Sequence, residues 1–480
     1  MNRSKIQARA VVLLSVLLLS FTYPSHAQQT RFKHHHYRLI EVGTFRGPDS
    51  VYNVGTNIVR TIDGAFVGAA NTDQPDPTCY DGFTCFALHA AEWRDGRLTD
   101  LGVLPGGISS FTNAINLHGL VAGQSQNGAT DPDSGIAAWV PTVWKDGRPI
   151  NLGTFGGSFG LATAVNDSGL VTGAAENGVP DPLQLALNAN LLGSTELRGF
   201  VWDGGRLRDI GDLGASGTFP VAINNAGQVV GFSLTDTDLG PFGLFHLAPF
   251  LWQSGHMVNL GTLGGINGQA AAINQRGQVV GTSDLAGDEV AHAFRWARGK
   301  MIDLGAIGGS FSTAIWVNEL GDVAGLSSID GDVSFHGFIW KDGNMIDLGT
   351  VPGDNNSSAT YVNDFDQAVG ESWTFDGTNT TAVHAYLWEN GEGVDLNLLV
   401  SNQTDLHLTE ANYITDRGEI IANGVLPNGD FRAAVLIPES DFCQPFLNSG
   451  PLRRHGNLPQ NKISYWKHHK SQHPTPDRVK

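Results

Sequence analysis

Along most of this chain apolar and polar residues alternate over strand-sized runs, stop at a glycine or an Asp-Gly or Asn-x-x-Gly group, and start again. Residues 292–325, HAFRWARGKMIDLGAIGGSFSTAIWVNELGDVAG, show the pattern most clearly. They divide into four pieces, 292–296, 300–305, 312–318 and 322–326. Each has the length and period of a strand, and no long stretch of 3.6-residue period intervenes. Alternation places Phe294 and Trp296 on one side of the first piece, where both can pack between layers. The first two pieces are joined by tight turns such as KDGN at 341–344, in which Asp-Gly supplies the positive φ of a hairpin. The last two are joined by Asn-x-x-Gly, in which Asn bonds its own backbone and Gly takes the left-handed conformation.

The same text returns throughout residues 37–438. The tryptophan recurs at Trp93, Trp144, Trp202, Trp252, Trp296, Trp340 and Trp388, at spacings of 51, 58, 50, 44, 44 and 48. The turn asparagine follows in step at Asn116, Asn166, Asn224, Asn274, Asn318 and Asn363. Periods of 40–50 residues built from short apolar runs and glycine turns predict four-stranded propeller blades. At the ends, residues 37–43 (YRLIEVG) match only the MIDLG strand, and residues 431–438 (FRAAVLIP) only the HAFxW strand. Counting both fragments gives eight copies of every strand type. The expected fold is therefore an all-β, eight-bladed propeller whose N-terminal strand completes the last blade and leaves no open edge.

Loop lengths order the strands within a blade. The link from DLG to the next alanine-rich strand is nearly constant, as suits a crossover from an outermost strand to the next innermost one. The link from VVG to the next HAFxW varies widely, with 70–84, 124–136, 174–196 and 232–246 sharing no repeat text. Small-residue strands such as 270–274 then line the channel, and both kinds of link lie on one face. Variable loops on a rigid frame are where binding resides.

The succession HAFxW, DLGxLGG, AxAIN, GxVVG resembles the HAF repeat of predicted, mostly bacterial, extracellular repeat proteins, and covers about 400 of the 480 residues. The resemblance implies export but carries no activity. The chain departs from the repeat at Thr61 and Thr415 in the Asn place, and at Gly214-Ala215 and Gly353-Asp354 in the Gly-Gly place.

Residues 1–27 read as a signal peptide: Arg3, Lys5 and Arg9 precede an apolar run from Ala10 to Phe21, and Ser25-His26-Ala27 is a small-x-small cleavage site. No other segment is long enough to span a bilayer. A short extension, 28–36, leads into the ring, and 439–480 form a basic tail of low apolar content, expected to be disordered. The protein is thus expected to be secreted, extracellular or periplasmic. Of three cysteines, Cys79 and Cys85 share one variable link and are expected to pair, leaving Cys443 over. The formal net charge is −18. Without the leader's three basic residues it is −21, and without the last 30 residues, which hold seven basic and one acidic, residues 28–450 reach −27. A ring this acidic repels nucleic acid and anionic membranes.

No HExxH, GxSxG, CxxC or phosphate-cradling loop occurs. Asn113, Trp316, Tyr361, Glu410 and Asn412 are non-repeating residues near the inner strands, best read as channel lining. In the variable links Asp131, Asp133, Asp236, Asp238, Asp330 and Asp332 stand two apart in pairs, an arrangement from which oxygen shells for calcium are built. None has the distal Glu of a calcium loop, so solvated acidic turns are the default and no cofactor is expected. The histidines at 34–36 and in the tail are read as solvated, without a specific ion. Tyr80, Phe83, Trp139, Phe242, Phe245 and Trp373 are the candidate ligand-binding aromatics of the loop face. Aromatic faces beside acidic and amide groups suit a glycan, peptide or protein partner. The preferred reading is a non-enzymatic exported binding propeller; the alternative is a secreted carbohydrate-active lyase or hydrolase with scattered carboxylates at the channel mouth.

Overall fold

The computed structural model describes residues 34–52, 64–77, 85–181, 195–239 and 245–439. The leader, Thr61, Cys79, Tyr80, Phe83, Phe242 and the tail lie outside the described residues. Eight four-stranded antiparallel sheets form the ring. Seven follow chain order from the innermost strand outward, as in blade six: Ser312–Val317, Val323–Ser328, Phe335–Lys341 and Asn344–Asp347. In blade eight, His407–Ile414, Ile420–Val425 and Phe431–Pro438 are completed by Tyr37–Glu41, with Tyr37 opposite Pro438 and Glu41 opposite Ala434. The expected closure is therefore present.

The turns follow their residues. Asp342 and Gly343 both have positive φ, 51° and 85°, the requirement of the two-residue hairpin in KDGN. In the D-L-G element the carboxylate of Asp303 accepts the N–H of Gly305, 2.7 Å away, and Gly305 sits at φ +78°. Asx bonding and left-handed glycine thus turn the chain out of each blade. The glycine of VVG has another cause. Each inner strand from blade two to blade eight carries a register shift, at Ala314/Trp316 in blade six. The bulge brings Thr313 so close that a Cβ on Gly325 would collide with its carbonyl.

Apolar layers between blades hold the ring. Phe200, Phe250, Phe294, Phe338 and Tyr386, all from the third place of HAFxW, are completely buried. Of the repeated tryptophans, Trp93, Trp144, Trp252 and Trp340 are buried while Trp202, Trp296 and Trp388 are half-buried. Trp316, Tyr361 and Tyr413 fill the same place in blades six to eight and pack in file, the first pair stacked and the second tilted by 54°, with centroids 4.6 and 4.7 Å apart. Trp316 and Tyr361 are thus packing residues buried between blades.

Polar groups also join neighbours. The turn asparagine does more than close its own turn: Nδ2 donates to the carbonyl of the next blade's turn residue, in the series Asn116, Asn166, Asn224, Asn274, Asn318, Asn363 and Thr415, at 2.9–3.1 Å. Higher on the inner strand Asn113 bonds Ala162 O and Thr163 bonds Pro220 O across the next boundary. At a third level a serine bridges HAFxW and DLG of the preceding blade: Ala293 N donates to Ser312 Oγ, which donates to Gly305 O. Where Pro141 and Pro249 replace that alanine and supply no N–H, the facing serine is Gly160 and Gly268.

Side-chain amides hold the closing strand and the boundary of blades eight and one, where Ala433 N also meets Ser50 Oγ. Asn402 accepts from Leu39 N (2.7 Å) and donates to Leu39 O (3.1 Å), and Asn423 does the same to Tyr52 (2.9 and 3.1 Å). Asn402, in the crossover from blade seven, thereby holds the closing strand of blade eight, and Asn423 joins blade eight to blade one.

Candidate functional site

Antiparallel order puts the crossovers and the second-to-third-strand links at the same end of every blade. Four of these links proved to be more than loops. The second strands of blades one to four run on as Phe66–Pro75, Val121–Thr130, Val171–Pro180 and Val229–Leu239, well beyond the five residues of the VVG repeat. Past a register shift each pairs again with its third strand, as Thr130 with Ala137 and Pro180 with Thr195. In blades five and six the same strands, Val279–Leu285 and Val323–Ser328, are shorter. Their Asn-, Gly- and Thr-rich text lacks apolar alternation because both faces of a projecting hairpin meet water.

In blades two, three and six a polar side chain fixes the link to the crossover beside it. Gln126 Oε1 accepts Ile108 N and Ser109 N at 3.1 and 3.2 Å; Glu176 Oε2 accepts Ser158 N and Phe159 N at 3.1 Å; Asp332 Oδ1 accepts Ser310 N at 2.6 Å. Burial nevertheless pushes the Glu176 carboxyl above its ordinary range. The Gly-Gly pairs follow from this contact: a Cβ on Gly107 would strike Gln126, and one on Gly157 would strike Glu176.

The sequence candidates separate across the face. Trp139 is buried with 8% of its surface exposed, bridged to Phe159, while Phe245 and Trp373 are half-buried on blades four and seven. Of the aspartates, one in each pair holds a turn or anchor. Asp131 accepts from Ser134 N and Oγ (both 2.8 Å) and Asp133 N; Asp236 from Asp238 N and His246 Nδ1 (2.9 Å); Asp332 from Ser310 N and Ser328 Oγ. The His246 bond holds Asp236 below the usual carboxylate range. Asp133, Asp238 and Asp330 are exposed. Among the described residues no group of three or more His, Cys, Asp or Glu gathers in a metal-holding arrangement. Cys85 is disulfide-bonded.

A feature that the sequence reading missed lies in the histidine of HAFxW. His89, His292 and His336 bond Asp100, Asp303 and Asp347, each eleven residues on, at 2.8–2.9 Å, and Arg198 takes the same place against Asp209. The recurring interval was the available signal. Blade seven breaks the rule. Its Asp395 instead caps the 3-10 helix Leu396–Leu399. His384 Nδ1 turns to Asp354 Oδ2, 2.9 Å away, in the crossover place that most other blades fill with the second glycine. Thr374 Oγ1 donates to Asp354 Oδ1 at 2.9 Å. The ring of His407, from blade eight, stands edge-on to His384 with centroids 5.5 Å apart and planes at 81°. His407 Nε2 donates to Val383 O at 3.0 Å.

No family model and no curated protein matches this chain. Among solved structures it is similar to an acylaminoacyl peptidase of Pyrococcus horikoshii, at 12% identity and TM-score 0.41, over 83% of this chain and 59% of that one. It is also similar to TolB from Acinetobacter baumannii, at 14% identity and TM-score 0.29, over 51% and 60%. A third is a Trypanosoma rangeli sialidase solved with the inhibitor DANA, at 8% identity and TM-score 0.30, over 84% and 58%. The chain thus spans less than two thirds of the length of these proteins, and likeness of this degree carries no functional argument.

Proposed function

We propose that this protein is an exported, non-enzymatic propeller that binds a glycan, peptide or protein partner on its loop face. The observation that carries the reading is the set of projecting hairpins on blades one to four. Ring closure and the asparagine series do not use the outer ends of these strands. Their presence on one face, beyond what the ring needs, is accounted for by contact with something outside the ring. The leader-like N-terminus and the resemblance to exported HAF-repeat proteins support the compartment.

The test compares the chain with a variant in which the four links are cut to Asn-Gly turns, against arrays of glycans and of extracellular protein ectodomains. The reading expects binding by the parent, loss in the variant, and a ring that in the variant still unfolds in one cooperative transition. Full affinity without the links would move the function elsewhere on the molecule.

A further inference from the structure

We propose that His384 and His407 bind a late first-row divalent metal ion, of the zinc or copper class, on the loop face. Each imidazole has its tautomer set by a hydrogen bond. Asp354 takes the Nδ1 proton of His384 and leaves Nε2 with a lone pair, while Val383 O takes the Nε2 proton of His407 and leaves Nδ1 with one. A carboxylate or backbone carbonyl behind each ligating imidazole is the outer-shell arrangement of histidine metal sites. Spacing agrees as well. An ion bonded at about 2.0–2.1 Å to one nitrogen of each ring, with a near-tetrahedral angle, sets the centroids roughly 5.2 Å apart, close to the 5.5 Å found.

The ordinary His-Asp contact of the repeat does not account for this arrangement. His89, His292 and His336 bond an aspartate of their own blade. Blade seven diverts its own aspartate into a helix cap, recruits Asp354 from the crossover, and secures that nearly buried carboxylate with Thr374. Blade eight then adds His407, which makes no bond to Asp354. His384 keeps about a quarter of its side chain exposed, and His407 is exposed, so an ion can reach both rings. Two imidazoles select zinc, copper or nickel over manganese or calcium, and water fills the remaining positions.

The experiment uses the purified chain stripped with chelator and titrated calorimetrically with Zn2+, and with Cu2+ followed by electron paramagnetic resonance. Expected are Cu2+ binding tighter than Zn2+, no competition by Mn2+, and a nitrogen-coupled copper signal. His384→Ala and His407→Ala each weaken Zn2+ at least about 10-fold, and Asp354→Asn weakens it about 10-fold. His292→Ala, which breaks the same kind of contact away from a second imidazole, leaves affinity unchanged. Should His384→Ala lower the melting temperature, exposed His407→Gln carries the test. Unaltered stoichiometry and affinity in the His407 variants, or loss of the ion on replacing His34–His36 or His468 and His469 instead, would overturn the assignment.

Discussion

Asn318 donates from Nδ2 to the backbone carbonyl of Asn363, 3.0 Å away, and so ties blade six to blade seven at a fully enclosed point. Its Oδ1 meanwhile accepts Gly321 N and Asp322 N at 2.9 and 2.8 Å within its own turn. One side chain performs two tasks that substitution can separate. Asn318→Asp keeps the acceptor and loses the donor, leaving a buried carbonyl unmet beside a new charge. The expected cost is about 1–3 kcal/mol in urea denaturation. A loss below about 0.5 kcal/mol would mean that water replaces the inter-blade bond without penalty.

Pro249 and Gly268 form a compensated pair. A Cβ on Gly268 would lie 2.9 Å from Pro249 Cδ, whereas Ala293 and Ser312 at the corresponding boundary share a hydrogen bond of 2.8 Å. Gly268→Ser alone should destabilise by roughly 1–3 kcal/mol through overpacking. Adding Pro249→Ala restores both the space and the N–H, so a double-mutant cycle should return a favourable coupling of about 1 kcal/mol or more. Strict additivity would refute the pairing.

The N-terminal strand should be indispensable. Removing residues 34–43 strips the outer strand from blade eight, together with the Leu39 groups held by Asn402. A steep fall in melting temperature and self-association through the exposed edge are expected. An unchanged transition would contradict the closure.

Just before that strand, His35 meets Glu389, with Nδ1 and Oε2 2.7 Å apart. The bond to Glu389 raises the His35 pKa above 6.5. Burial alone would raise Glu389, but its bonds from His35 and Gln367 outweigh burial and hold it below 4.5. Stability from the histidine is complete below pH 6.5 and is lost as pH rises through its raised value. Stability from the carboxylate is complete above pH 4.5 and is lost as pH falls through its lowered value. The difference in melting temperature between the parent and His35→Ala should therefore peak near pH 5–6 and narrow toward pH 9. A difference that grew with alkalinity would show the contact to be neutral.

Period and turn chemistry made the blades, their number and their strand order legible, because these depend on residues near one another in the chain, and the closing strand showed because the repeat fragments at the two ends complement each other. Contacts between blades were less legible. Asn318 reads as a turn residue from its own neighbours, and only the fold brings Asn363 O within its reach. The His292–Asp303 contact spans two strands and a hairpin, so it shows in the text only as an interval of eleven. Gly353-Asp354 was visible as a departure, but what Asp354 does there depends on His384, thirty residues on. The loop-face aromatics were chosen by type and link, and Trp139 shows the limit of that approach, since its strand turns it under the surface.

The asparagine series is directional. It runs from Asn116 to Thr415, and Thr415 has no side-chain N–H to pass on. The described fastener is therefore a line of six rungs from blade two to blade eight, and between blades eight and one the Asn423 amide, which clamps Tyr52, does the joining instead. A closed loop under thermal or mechanical load parts at its weakest boundary. Among the described residues no such rung reaches blade one, and the molecule should open beside that blade into a horseshoe before any blade unravels. The amide proton of Tyr52, held by Asn423 of blade eight, should exchange with deuterium through this partial opening, while those of blades three to six wait for complete unfolding.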